Sequence, residues 1–238
     1  MSDEIFTIIT KGAKYLNIKL PPGTEAAFRA YHDFLEERGQ NVNLTAIAGV
    51  KKVACLHFLD SLALLNAADF YKTKVIDIGS GAGFPGVPLK IAEPSIALTL
   101  LDATGKRIKF LKELCTKLGV DVTCVNSRAE EAAHLPEFRG QYNIVVSRAV
   151  ARLNILCELC LPFIQIGGKF IAMKSIDSAG EVNEAQFAIN TLGAEIEKQY
   201  DYTLPDTDVT HRAIIIGKTK ETPDKYPRRF AKIQKSPL

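Results

Sequence analysis

The chain has 238 residues, 47% of them hydrophobic, enough to bury a sizeable core in one main domain plus an extension. Its net charge of +3 permits a polyanionic partner without requiring one. Met1-Ser-Asp-Glu lacks the regions of a secretory signal, no apolar run approaches membrane-spanning length, and the five cysteines show no pattern of disulfide pairs. A membrane protein and a disulfide scaffold are thereby excluded, and a reduced, cytoplasmic protein is expected.

Residues 1 to about 70 read as a helical cap. Pro21-Pro-Gly-Thr24 is a stop followed by a helix start, with Thr24 as N-cap and Glu25 in the first turn. Ala27, Phe28, Tyr31, Phe34 and Leu35 recur at helical spacing and bury one face. After Gly39 comes Asn43-Leu-Thr-Ala-Ile47, then a helix over about 53–66 that carries His57 and Asp60 on a shared face. Fixing how the cap docks on the sheet is the first reading of that pair, and a substrate or cofactor contact the second.

From Lys74 the pattern alternates strand and helix, which predicts an α/β fold with a mostly parallel sheet. Strands are expected at 74–78, 96–101, 121–126, 142–147 and 167–173, with helices at about 85–92, 105–118, 152–162 and 178–192. The extended segments 195–203 and 211–218 are joined only by Leu204-Pro-Asp-Thr-Asp-Val209, a connection short enough to force an antiparallel hairpin. The expected organisation is a helical cap at 1–70, an α/β domain at 71–220 and a basic tail at 221–238.

Lys74-Val-Ile-Asp-Ile-Gly-Ser-Gly-Ala-Gly-Phe-Pro-Gly86 is a buried strand that ends in a glycine loop, where bare backbone can approach a ligand. Pro85 suits the first turn of the helix that follows. Asp102 ends the next apolar run, where its carboxylate can accept two ribose hydroxyls. Gly81-Ala-Gly83-Phe-Pro-Gly86 fits the dinucleotide pattern G-x-G-x-x-G. However, Asp77 precedes the glycines, and bulky Phe84-Pro85 stands where a pyrophosphate wants open amides. Both features favour S-adenosylmethionine, which has no phosphate and carries a cationic amino-acid tail.

Ser147-Arg148-Ala149-Val150 ends the fourth strand on the same edge, and Glu130-Glu131 follows the third, near where an adenine would sit. Arg148 can grip a carboxylate or phosphate bidentately, or it can pair with one of these acids. Cys157-Glu-Leu-Cys160 lies inside an apolar helix and reads as core. No metal-ligand set is found. The basic face of the helix from Gly105 is either solvated or a binding face. In the tail, Lys218, Lys220, Lys225, Arg228, Arg229, Lys232 and Lys235 interleave with Tyr226 and Phe230, so bases can stack while phosphates are neutralised. The fourth strand ends in neither an Asn/Asp-Pro-Pro-aromatic run nor a Pro-Cys nucleophile. Exocyclic amines and pyrimidine C5 are therefore disfavoured, and a purine ring nitrogen such as guanine N7 needs neither base nor nucleophile.

In order along the chain, Asn43-Leu-Thr-Ala-Ile47, His57…Asp60-Ser-Leu62, Asp77-Ile-Gly-Ser-Gly-Ala-Gly-Phe-Pro-Gly86, Leu101-Asp102…Lys106-Arg107, Arg128-Ala-Glu130, Ser147-Arg-Ala-Val150 and Tyr226-Pro-Arg228 resemble the RsmG family. These are bacterial 16S ribosomal RNA guanine-N7 methyltransferases, also called glucose-inhibited division protein B. The resemblance spans nearly the whole chain. It implies a Rossmann-like S-adenosylmethionine-dependent methyltransferase fold, a seven-stranded sheet with a C-terminal antiparallel hairpin and an N-terminal helical cap. It also implies methyl transfer to guanine N7 in the decoding-region loop of 16S rRNA. The chain departs from the pattern in having no tryptophan before Asn43, where Arg38-Gly-Gln stands, and in having Lys174-Ser175 where members carry Lys-Gly.

With the resemblance, Asp77, Gly79, Ser80, Gly81, Gly83, Phe84, Asp102, Ala129, Glu130 and Arg148 are expected at the cofactor. Lys106, Arg107, Lys174, Arg212, Arg228 and Arg229 are expected at RNA phosphates, and no catalytic base is expected. The implied partner is 16S rRNA, the small ribosomal subunit or an assembly intermediate, and the implied state is a monomer away from membranes. An NAD-dependent oxidoreductase, a small-molecule methyltransferase and a non-catalytic RNA-binding module are the rival readings.

Overall fold

Five runs rich in aliphatic and β-branched residues form parallel strands: β1 (Lys74–Ile78), β2 (Ala97–Asp102), β3 (Val122–Asn126), β4 (Tyr142–Arg148) and β5 (Ile164–Ser175). The antiparallel strands β6 (Ala194–Thr203) and β7 (Thr210–Lys218) complete a seven-stranded sheet of order β3-β2-β1-β4-β5-β7-β6. The computed structural model describes residues 2–38, 49–148 and 150–238, so the Asn43-Leu-Thr-Ala-Ile47 segment and Ala149 lie outside the described residues. Val75, Ile76, Val145 and Val146 are fully buried, as central parallel strands covered on both faces require.

Helices α5 (Gly86–Ala92), α6 (Gly105–Leu118), α8 (Leu153–Cys160) and α9 (Ala179–Thr191) link the strands close to the predicted positions, and a short α7 (Ala129–Ala132) follows β3 where no helix is expected. The largest boundary difference is in β5, which begins at Ile164, not 167. A Cβ on Gly168 would stand 2.6 Å from the Asn143 carbonyl oxygen, and the β4–β5 register shifts just there. The close backbone passage needs the glycine pair that makes this half of the strand look like a turn. Pro85 sits one residue before α5 as its cap, not inside its first turn.

One sheet face carries the N-terminal helices α1 (Ser2–Tyr15), α2 (Thr24–Arg38) and a helical run over residues 50–66. Helix α2 includes Thr24 as its first residue instead of taking it as N-cap, and the hydroxyl donates to the Pro21 carbonyl (3.0 Å) instead of receiving a helix amide. Residues 50–66 are not one regular helix. They comprise α3 (Val50–Val53), a π-helical turn at Ala54–Leu59, α4 (Asp60–Leu62) and a 3-10 turn at Ala63–Asn66. The wider π turn re-aims the side chains it contains, His57 among them. Phe28, Tyr31, Phe58 and Leu62 join Val75, Leu100 and Ile171 in a single core, so the cap and this sheet face are buried together.

The opposite face is covered by α8 and α9. Cys157 and Cys160 are fully buried there, and burial pushes both thiols up, which makes them core as predicted. Against α8 packs α10 (Phe230–Lys235), with Ile233 fully buried. The tail is therefore not a free basic arm. Arg228 donates to the fully buried Glu158 through Nε (2.8 Å) and Nη2 (2.6 Å), and its backbone N–H bonds the same carboxylate at 2.8 Å. Lys218 is buried as well, with its ammonium bonded to the Leu192 carbonyl at 2.6 Å and to Thr222. Tyr226 is buried, so it offers no stacking face to a base.

Candidate functional site

The loop after β1 is clamped from three sides. The Gly79 and Ser80 amides donate to the Leu101 carbonyl (2.8 and 3.1 Å), which ties the loop to the end of β2. The Gly86 amide donates to Asp77 Oδ2 at 2.9 Å, so the acid inside β1 fastens the start of α5. From the cap, the Tyr31 hydroxyl donates to the Ala82 carbonyl at 2.7 Å. Gly83 has φ +102°, and a Cβ there would stand 2.6 Å from that hydroxyl oxygen.

Phe84 is the centre of an aromatic column. Tyr31 stacks on it at 5.1 Å and His57 at 4.5 Å, while the Arg148 guanidinium lies 5.1 Å from the ring centre. Arg148 does not pair with Asp102, Glu130 or Glu131. It donates to the Leu56 carbonyl (3.0 Å), Asp60 Oδ2 (3.1 Å) and His57 Nδ1 (2.9 Å). Burial, aided by the Arg148 charge, lowers the His57 pKa to about 4, so the imidazole is neutral near pH 7 and its Nδ1 can accept. Asp60 Oδ1 receives the Tyr202 hydroxyl and His211 Nδ1, both at 2.8 Å. Burial pushes this carboxyl up, but the His211 bond, the Arg148 charge and the Tyr202 bond outweigh it and hold the group below its ordinary range. His57 and Asp60 thus join the cap to β4 and β7.

Beside these groups opens a cleft of about 880 Å³ at the carboxyl edge of the parallel strands, the usual ligand position in an open α/β sheet. Gly79, Ser80, Gly81, Phe84, Asp102, Ala129, Glu130 and Arg148 all line it. Asp77 and Gly83 do not. Both lie behind the loop, with Asp77 fully buried and its Oδ1 without a hydrogen-bond partner. Burial raises the Asp77 carboxyl to about 7. Asp102 is 3% exposed and accepts the Gly81 amide on Oδ2 (3.0 Å) and the Thr104 amide on Oδ1 (2.8 Å). Oδ2 also receives Arg107 Nη1 at a long 3.4 Å, so the spare acceptor position lies on Oδ1, where a ribose hydroxyl can donate. An acid at the end of β2 can take a ribose, and the bulky Phe84 ring in the cleft wall stands where a pyrophosphate would need open amides. The residues present therefore fit S-adenosylmethionine.

The expected phosphate contacts divide. Arg107 lines the cleft mouth, 3.4 Å from Asp102, and Lys106 and Arg229 are exposed. Lys174 faces the cleft, where it bonds the Ala151 carbonyl and Glu181 (both 2.7 Å). Arg228 is held bidentately by the buried Glu158 and so is committed inside the protein, whereas Arg212 pairs bidentately with Asp201 at the surface (2.6 and 2.8 Å). Four residues of the site were missed: Tyr31, Tyr202, His211 and Glu181. The antiparallel hairpin carries a signal for His211, because it returns the start of β7 to the ligand edge, opposite Ser175.

Comparison with known proteins decides the family. The GidB family model, described as rRNA small subunit methyltransferase G, matches residues 24–205. The chain belongs to this family. The ribosomal RNA small subunit methyltransferase G of Alkaliphilus oremlandii (strain OhILAs) is 46% identical over 238 residues, covering 99% of each chain. Its counterpart from Alkaliphilus metalliredigens (strain QYMF) is 42% identical over 234 residues, 97% of this chain and 98% of that one. Among solved structures, one concerned with the conversion of a disulfide bond into a thioacetal group in echinomycin biosynthesis superposes with a TM-score of 0.54. It is 16% identical and covers 67% of this chain and 81% of that one, a likeness of fold alone. As a GidB-family member the protein is an S-adenosylmethionine-dependent methyltransferase, and its sheet is the Rossmann-like one expected for that class.

Proposed function

We propose that the protein transfers a methyl group from S-adenosylmethionine to N7 of a guanine in 16S rRNA, in the decoding-region loop of the small ribosomal subunit. The observation that carries this reading is the cleft itself: a loop of bare backbone and a buried acid at the strand ends of a GidB-family chain. S-adenosylmethionine supplies a methyl group on a cationic sulfur, open to in-line attack. Asp102 would hold the ribose through its carboxylate, and Ala129 and Glu130 would border the adenine. Gly79, Ser80, Gly81 and Phe84 wall the loop side. Arg148 spends Nη1 and Nη2 on the cap, which leaves its Nε–H for the amino-acid carboxylate. Asp77 and Gly83 act from behind, by fixing the loop.

Guanine N7 attacks with a lone pair and carries no proton, so no side chain has to serve as general base. The chain contributes alignment and exclusion of water. Lys106, Arg107 and Arg229 are assigned to RNA phosphates, with Lys174 acting inside the cleft. Among the described residues no helix is long and apolar enough to cross a membrane; action as a monomer in the cytoplasm, on rRNA or a ribosomal particle, belongs to the same proposal. Incubation with 16S rRNA and methyl-labelled cofactor, followed by borohydride–aniline cleavage, tests the reading. One strand break at an N7-methylated guanine is expected; label at any other atom, or no transfer to rRNA or to small subunits, refutes it.

A further inference from the structure

Across the carboxyl edge the strands run β3-β2-β1-β4-β5, and the nucleoside fittings belong to the first three: Asp102 on β2, the segment after β3 and the loop after β1. The remaining half of the same cleft, at β4 and β5, is lined by Val150, Leu159, Met173, Lys174, Ser175 and Glu181. Beside the Arg148–Asp60 pair at the end of β4, it is an apolar surface with a second ion pair, Lys174–Glu181, set into it. Glu181, in the first turn of α9, accepts both the Leu153 amide (2.8 Å) and the Lys174 ammonium (2.7 Å) on Oε2, so Oε1 takes part in neither bond. Burial tends to raise this carboxyl, but the bonds from Lys174 and Leu153 outweigh it, and the group is held below its ordinary range as an anion.

A purine methylated at N7 presents its five-membered ring to the methyl donor, which turns its N1–C2 edge towards the opposite wall. On guanine that edge carries two donors, N1–H and the 2-amino group; on adenine it carries a lone pair at N1 and no amino group. A fixed carboxylate accepts from the first and repels the second. We propose that Glu181, steadied by Lys174, accepts the N1–H and 2-amino edge of the target base and so selects guanine. This rests on the reading of the cleft as a guanine-N7 methyltransferase site. A Glu181 that merely fastened α9 to α8 would affect stability without affecting choice of base.

The test compares 16S rRNA assembled with guanosine or with inosine, which lacks only the 2-amino group, at the methylated position. Wild-type protein is expected to lose roughly tenfold or more in kcat/KM on inosine, the scale of one hydrogen bond to a charged acceptor. Glu181→Gln is expected to lose roughly ten- to a hundredfold on guanosine. It should also treat the two RNAs alike while binding S-adenosylmethionine as tightly as wild type. Equal wild-type rates on both RNAs, or full discrimination retained by Glu181→Gln, overturns the assignment. The inosine comparison with wild-type protein needs no variant to fold. Absence of N7 methylation on the guanosine RNA would instead overturn the underlying reading, and this proposal with it.

Discussion

At Gly83 the backbone has no room for a methyl group, because φ is +102° and the Tyr31 hydroxyl, Val87 and Leu111 close over the site. Gly83→Ala is expected to cost about 2–3 kcal/mol, from backbone strain together with displacement of Tyr31. Gly119→Ala, whose Cβ would meet nothing within 4 Å, should cost only about 1 kcal/mol. Urea unfolding compares them, and equal losses would mean that the Tyr31 clamp carries no weight. Asp77 gives a pH-dependent counterpart. Burial raises its carboxyl from an ordinary 3.8 to about 7, so the folded state binds this proton more tightly than the unfolded one. Its contribution to stability is complete below 3.8 and is lost as the pH rises to about 7. Relative to Asp77→Asn, which carries no charge, wild-type protein should weaken as the pH rises from 3.8 to about 7; parallel profiles would contradict the assigned burial effect. In the sequence Asp77 and Gly83 look like ligand contacts because they share the motif with Gly79 and Gly81. Only the three-dimensional path of the loop separates the residues that line the cleft from those that hold the loop in place.

The strands and connecting helices are legible because each carries its own signal. Short β-branched runs end in turn residues, and α6 shows a plain apolar stripe of Ile108, Leu111, Leu114 and Cys115, all buried. Pro223, Pro227, Tyr226 and Phe230 hint that the tail packs, but not on what, since what fixes it lies 70 residues earlier: Glu158, an acid inside the apolar run of α8. Composition alone makes 218–238 a basic arm, whereas contact makes it a strap. Arg228→Ala would leave the Glu158 carboxylate buried without its cation, and a loss of about 3–5 kcal/mol in urea unfolding is expected. A loss under about 1 kcal/mol would return Arg228 to the surface role first expected of it. The π turn at Ala54–Leu59 is likewise invisible in the apolar spacing, although it re-aims the very turn that carries His57 towards Phe84 and Arg148.

Across the whole molecule, the cap is not an appendage to the sheet but one side of the site. Tyr31 holds the loop, His57 stacks on Phe84, and Asp60 gathers Arg148 from β4 with Tyr202 and His211 from the closing hairpin. Ligand in the cleft should therefore stabilise cap and sheet as a single unit. S-adenosylmethionine at about a hundred times its Kd is expected to raise the unfolding free energy by about 2.7 kcal/mol in one cooperative transition, and NAD to leave it unchanged. Stabilisation by NAD would favour an oxidoreductase. The most direct measurement is a crystal structure with the product S-adenosylhomocysteine. It should show the ribose hydroxyls on the Asp102 carboxylate, with the adenine beside Ala129 and Glu130. A nucleoside bound elsewhere, or with its ribose turned away from Asp102, would contradict the site described above.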